Sequence, residues 1–433
     1  MNHYDTAIIG GGVSGLLAAI EVAQAGKRVI VLEKSSHVGG RGITVRKQGA
    51  LLNLGGHAVY RDGAAYKALH RLGIKLEGGR PGNGGSVIWK NRLIPLPGDP
   101  LKLLTSPLFS FAGKMELGRL MTRIGKVDTT GLGNVSLRVW AERHIQDPMV
   151  RHMFYTLCRT ATYSRDLDYQ TAATVLHQVR VSLSSGVLYL DGGWQHIVDQ
   201  LEQLAISRGV TIRTGAGVQA ISHADGAVEG VRLGSGEPLQ VSSVISTLAP
   251  ADNVRLVSGA EHTALQRWKE DARPITAACL DLALKRLPVS GRDFVLGLDQ
   301  PVYFSNHSRA AKLSEDGMVV VHLMKYNDVH EQYDPKTAEQ LLMSTMNLIH
   351  PGWQQEVVAK QFLPNLTVVH DYPHKARRDD KPGPVVPEIR RLYVAGDWAS
   401  HGEMLLDAAA ASAERAAMQL IRDAAKVQDA VTV

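Results

Sequence analysis

Cysteine is nearly absent from the chain: 433 residues contain two, Cys158 and Cys279. Neither has a second thiol or a histidine at metal-ligand spacing. That excludes a disulfide scaffold and any zinc or iron–sulfur motif, and it suits a reducing compartment. Both thiols read as small packing residues. Aromatic side chains are also sparse, at 6% of the chain. No stretch reaches the roughly eighteen consecutive apolar residues that a membrane-spanning helix requires. The opening MNHYDTAII has neither a basic region nor the apolar core of a signal peptide, so a cytoplasmic protein is expected.

Charge of one sign is scarce too. The formal net charge is +6 and the isoelectric point is near 9.2. Basic residues are dispersed, with short clusters such as Arg377–Arg378 and Arg390–Arg391. There is no zinc spacing, RNP-like strand or basic helix, so no nucleic-acid partner is expected. A mild positive charge fits weak attraction to an anionic membrane surface. With 44% hydrophobic and 21% charged residues, the chain is globular and too long for one ordinary core.

What is present is concentrated at the start. Tyr4 to Ile9 is a short apolar run. Gly10-Gly11-Gly12-Val13-Ser14-Gly15 follows, then a helical stretch, then RVIVLE ending at Glu33. Strand, glycine turn, helix, strand and acid form a dinucleotide-binding βαβ unit. Gly10 permits the turn, Gly12 lets backbone approach a pyrophosphate at the helix N-terminus with Val13 and Ser14, and Gly15 allows close helix–strand packing. Glu33, followed by Lys34, stands where a carboxylate accepts hydrogen bonds from ribose hydroxyls.

Two further glycine pairs follow: Gly39-Gly40-Arg41 and Asn53-Leu54-Gly55-Gly56-His57. Together with the first unit they resemble the flavin amine oxidase and phytoene desaturase superfamily. The resemblance implies FAD, with Gly40 and Arg41 at the pyrophosphate and Gly55, Gly56 and His57 against the isoalloxazine. His57 is a weak candidate for proton transfer; the alternative is a hydrogen-bonded loop histidine. Farther on, Val218 matches the family position whose backbone holds the adenine. The strand ending Ala395-Gly396-Asp397 matches a family mark. Asp397 is thereby implied at the ribityl or pyrophosphate region, and the amides of Met404 and Leu405 at the flavin N1/C2 carbonyl. No cysteine lies near that segment, so the FAD is expected to be non-covalent.

The resemblance implies an α/β fold, with a Rossmann-like FAD-binding domain intertwined with an α+β substrate domain of mixed sheet plus helical insertion. Residues 1–77, 188–260 and 381–433 read as the three parts of the first domain. Residues 78–187 (helical) and 261–380 (sheet) read as the second. Within it, Ser86–Leu96 predicts a hairpin around Asn91, and Asp147-Pro148 predicts a helix start. Residues 64–77 predict a helix running into a strand. Leu103 to Gly113 carries no charge. The stretch 101–124 reads either as a core helix pair lining an apolar pocket or as a peripheral contact with a membrane. His322, on an apolar strand, reads as a satisfied core histidine.

The expected activity is hydride removal from a C–H bond of a small lipophilic substrate, as in phytoene desaturase-like dehydrogenation. The absence of a second glycine fingerprint points to oxygen, a quinone or another electron acceptor in place of a nicotinamide. Amine or protoporphyrinogen oxidase-type oxidation is an alternative; a non-redox FAD-dependent isomerase or binding module is another. After Asp397 the chain offers one aromatic residue, Trp398, where an amine cage has two.

Overall fold

A computed structural model describes residues 4–82, 84–378 and 381–432, with side chains to residue 426. Asn83 in the glycine-rich stretch 78–85, and Asp379 and Asp380 in the polar loop 374–384, lie outside the described residues.

The first sheet is built on Tyr4–Ile9. Its order runs Thr211–Arg213, Val29–Leu32, Tyr4–Ile9, Pro238–Ser246, Ala227–Leu233, Val218–Ala224, and Leu392–Val394 also pairs with Pro238–Ser246. The strand Pro238–Ser246 does two jobs. Residues 238–240 pair antiparallel with Ala227–Leu233, and Val241 onward runs parallel to Tyr4–Ile9. The central strands are apolar along their length because both faces are covered. The helices Val13–Gln24 and Leu405–Thr432 share one face of this sheet and one core cluster.

The second sheet runs Val357–Val369, Ile275–Leu284, Val319–Tyr326, Val302–Asn306, Phe294–Gly297, Ser86–Trp89, Arg92–Pro95. Its hairpin turns at Lys90 and Asn91, both at positive φ (48° and 59°), the backbone that a two-residue turn requires. The helix Pro148–Thr162 starts at Asp147, whose carboxylate accepts from the amides of Met149 and Val150. This helix and Ala172–Ser184 pack over the inner strands, burying Phe154, Cys158 and Val175 against Cys279 and Met324.

Two expectations are corrected. The helix beginning at Ala64 stops at Arg71, and residues 72–77 form no strand; the short strand Gly78–Gly79 comes after them and pairs with Tyr189–Leu190. The stretch 101–124 is core on one side only and lines no part of the main cavity: Phe109, Leu117 and Ile124 are buried, with Leu103, Leu108 and Leu120 packed against the same cluster. The helix Pro100–Thr105 buries no residue, and Phe111–Arg123 buries only Gly113 and Leu117. Leu101, Leu104 and Phe111 are 71%, 61% and 78% exposed. Along 111–124, Gly113, Leu117, Leu120 and Ile124 form the inward stripe, while Phe111, Met115 and Met121 face outward, as do Leu101 and Leu104 before Ser106-Pro107. Among the described residues no helix is long and apolar enough to cross a membrane.

Candidate active site

A cavity of about 600 Å³ runs from the glycine turn after Ile9 to the second sheet. At its first end, Glu33 is buried and both carboxylate oxygens are fixed. Oε2 accepts the Gly11 amide at 2.7 Å and Oε1 the Ser35 amide at 2.8 Å. Each oxygen keeps a lone pair for a hydroxyl donor. The helix Val13–Gln24 has Gly12 at its cap, no capping side chain and no acid in its first turn. Its free first-turn amides, at Val13 and Ser14 on the cavity wall, suit an anion. A Cβ on Gly12 would meet nothing nearer than the Gly39 carbonyl at 4.0 Å, whereas one on Gly15 would collide with the Gly10 carbonyl.

The middle of the cavity is ionic. The Arg41 guanidinium pairs with Asp397 (Nη1–Oδ2 2.8 Å) and donates to the Val368 carbonyl at 2.9 Å. The His370 backbone amide donates to Asp397 Oδ2, and its Nδ1 lies 3.2 Å from Oδ1. Burial opposes ionisation of Asp397, yet Arg41 and His370 hold its carboxyl well below the usual carboxylate range.

The far end is apolar. Gly56, Tyr60, Tyr163, Cys279, Met324 and Leu366 contribute to it. The acidic wall residues, Glu33, Asp252 and Asp397, belong to the glycine-turn and ionic regions. Tyr163 Oη lies 3.3 Å from the Gly56 carbonyl, which accepts its proton. His57 stacks edge-on to Trp194, with ring centroids 4.4 Å apart. Its Nδ1 lies 2.8 Å from the Gly55 carbonyl and its Nε2 3.2 Å from the Arg41 carbonyl. Burial lowers its pKa, with those two carbonyls opposing. Both carbonyls accept and the neutral ring has one N–H, so one nitrogen donates to its carbonyl and braces the loop while the other keeps a lone pair. Burial pushes the Cys279 thiol well up, leaving it protonated.

The structure brings Gly10, Gly12, Val13, Ser14, Glu33, Lys34, Gly40, Arg41, Gly56, His57, Gly396, Asp397 and Leu405 to this one cavity. Four of the expected residues lie off its wall. Gly15 and Gly55 stand behind it. Val218 opens a strand beside Gly217, which packs against Lys34. Met404 is buried against Ile275, Val369 and Tyr372, and Leu406 takes a place on the wall beside Leu405. Trp398 points away: its ring packs on Trp268 and its Nε1 donates to the Leu248 carbonyl at 2.8 Å.

Sequence reading missed Tyr60, Tyr163, Trp194, Thr247 and His370. Trp194 follows the pair Gly192-Gly193, and Thr247 follows the strand Pro238–Ser246. The other three carried no local signal. The cradle fits a dinucleotide: an acid locked at one end, uncapped helix amides, glycines without side chains between them, and the buried Nε1–H of Trp194 without a protein partner.

The chain is 23% identical over 314 residues to 4,4'-diaponeurosporene oxygenase from Staphylococcus aureus, covering 62% of this chain and 61% of that protein. It thus spans about three-fifths of the length of the curated relatives it matches. Its fold is similar to that of a putrescine oxidase variant (TM-score 0.76, 17% identity, 97% and 99% of the two chains). An oxidoreductase from Methanosarcina mazei is similar as well (0.73, 20%, 95% and 99%), as is a Rab GDI from Plasmodium falciparum (0.62, 13%, 97% of each). The model of the flavin containing amine oxidoreductases matches residues 13–421, and the chain belongs to that family.

Proposed function

We propose that the protein is an oxidoreductase that binds FAD non-covalently and removes hydride from a C–H bond of a small lipophilic molecule. One observation carries this reading: a single cavity that is ionic where a dinucleotide would lie and apolar, without a carboxylate, where a substrate would lie. When bound, FAD supplies the two-electron acceptor. Glu33 accepts ribose hydroxyls, and the first-turn amides at Val13 and Ser14 face phosphate. Arg41, held by Asp397, brings positive charge beside them. The amides of Leu405 and Leu406 offer a helix N-terminus to the redox end. Tyr60, Tyr163 and Met324 shape the space for substrate and keep water out. Reoxidation falls to oxygen or a quinone. The protonated Cys279 thiol supports non-covalent binding.

Amine oxidation draws on one observation, the two tyrosines on the wall. The lack of a carboxylate to pair with an ammonium weighs against it. The deciding experiment records the flavin spectrum of purified protein, then tests anaerobic bleaching by terpenoids and by amines. Bleaching by a terpenoid is expected. Bleaching by amines alone reverses the ranking, and a protein that stays colourless with added FAD sinks the enzyme reading.

We propose in addition that the exposed helices meet a membrane surface, the source of such a substrate. Leu101, Leu104 and Phe111 project outward, and Lys102, Arg119, Arg123 and Lys126 are exposed around them. Apolar wedges in a basic rim suit an anionic bilayer surface. Co-sedimentation with phosphatidylglycerol vesicles, and not with phosphatidylcholine vesicles, is expected. A Leu104→Glu, Phe111→Glu protein should remain in the supernatant with an unchanged melting temperature. Equal sedimentation of the two proteins would remove the helices from the interface.

A further inference from the structure

His322 lies on Val319–Tyr326, directly across from Asp281 on Ile275–Leu284. A histidine on an apolar strand is expected to be fully bonded, and this one is bonded on one side only. Its Nδ1 lies 2.5 Å from Asp281 Oδ1. The other carboxylate oxygen accepts from Gln361 Nε2 at 3.1 Å, and the same amide donates to the Asn53 carbonyl at 2.8 Å. Asn53 opens the turn that ends at His57. His322 Nε2 is buried with no partner. It is aimed at Gly56: a Cβ there would stand 2.8 Å from it. Gly56 is on the cavity wall. His322 and Asp281 are 1% and 4% exposed.

A buried polar nitrogen left unmade is costly, and a purely structural site would favour apolar residues of similar volume. The neighbours do not share the charge. His307 stacks at 5.5 Å, and burial, with His322 and His57 adding, pushes it well below the ordinary imidazole range. Burial lowers His57 and pushes Tyr303 and Cys279 up. Those shifts favour the uncharged form of all four, and the carboxyl group that His322 Nδ1 meets is that of Asp281.

We infer that Asp281 and His322 form a positioning dyad whose free Nε2, held against Gly56, biases the reduction of the flavin that the cavity takes. The inference rests on the flavoprotein reading above. A hydride taken up by a bound flavin would add one negative charge to the cavity. The Nε2 lone pair would hold the offsetting proton: one N–H bond forms as one O–H bond of a hydronium ion breaks and leaves water. In a dry interior such an offset acts without contact.

The test is the flavin midpoint potential against pH, measured spectroscopically with a reference dye. His322→Asn keeps a donor near the Nδ1 position and removes the far nitrogen. It is expected to bind FAD with wild-type stoichiometry, to have a more negative potential, and to show a flatter pH slope. The reduced-to-oxidised ratio against the dye should fall by about tenfold, the effect of roughly one pK unit of differential interaction. Asp281→Asn, which keeps size and shape, should shift the potential in the same direction and serves if His322→Asn fails to fold. A folded, yellow variant with wild-type potential and slope overturns the dyad and leaves the flavoprotein reading standing. A colourless wild-type protein overturns both.

Discussion

Asp397 and Asp407 stand ten residues apart and are driven in opposite directions. Asp397 is held low by Arg41 and His370 against its burial. A carboxyl with a depressed folded value adds stability above its unfolded value, near pH 4, and loses it as pH falls through the folded one. Asp397→Asn is therefore expected to melt several degrees lower than wild type at pH 7, as thermal melts followed by circular dichroism would show. The gap should close as pH drops below about 4. Asp407 is raised to about 6 by burial while its Oδ1 accepts the Ala65 amide at 2.9 Å. The sign is reversed here: stability is full below the unfolded value and is lost as pH rises through about 6. Asp407→Asn keeps the acceptor and sheds the charge. Its advantage should grow between about pH 4 and 6 and level off on the order of 2 kcal/mol; equal melting at pH 8 would contradict this. At this scale Glu33 was legible, because an acid ending the second strand of a βαβ unit has one place to be. Tyr60, Tyr163 and His370 were not, because each reaches the wall from a separate segment, and only tertiary packing puts them together.

The glycine turn with its helix is the element whose parts separate most cleanly. Gly15 has no room, since a Cβ would strike the Gly10 carbonyl, whereas a Cβ on Gly12 would touch only the space of the cavity. Gly15→Ala is expected to lower the melting temperature of the apoprotein and, through it, flavin binding. Gly12→Ala should leave the apoprotein melt unchanged and weaken FAD binding by at least about tenfold, by fluorescence titration. Parallel losses in the two variants would mean that Gly12 serves packing as well. The turn was readable because its chemistry is local. The cap at Asp147 and the hairpin at Lys90-Asn91 were readable for the same reason. The helices at 100–123 show the limit. Composition marked them as apolar, but only the neighbours an element meets decide whether apolar means inside, and here neighbours cover one side alone.

Across the whole molecule, two sheets are joined at the cavity and several histidines are kept neutral inside. Burial lowers His57 and His307 and takes His350, near the Arg292 carbonyl, to about 4. A histidine with a depressed folded value is protonated more readily when unfolded, so stability is lost as pH falls from about 6.5 towards the folded value. The melting temperature is expected to drop steeply between pH 6.5 and 4, less so in His350→Gln. A flat profile would show that these rings reach solvent. Ser14 Oγ donates to the Ala409 carbonyl at 3.0 Å, and Leu392–Val394 lies beside Pro238–Ser246. During synthesis the N-terminal unit emerges first. The wall that residues 10–14 begin must then wait for residues 396–409 before it can close. Flavin loading therefore follows translation of that segment, and a nascent chain stalled before residue 392 should leave the ribosome pale even where FAD is plentiful.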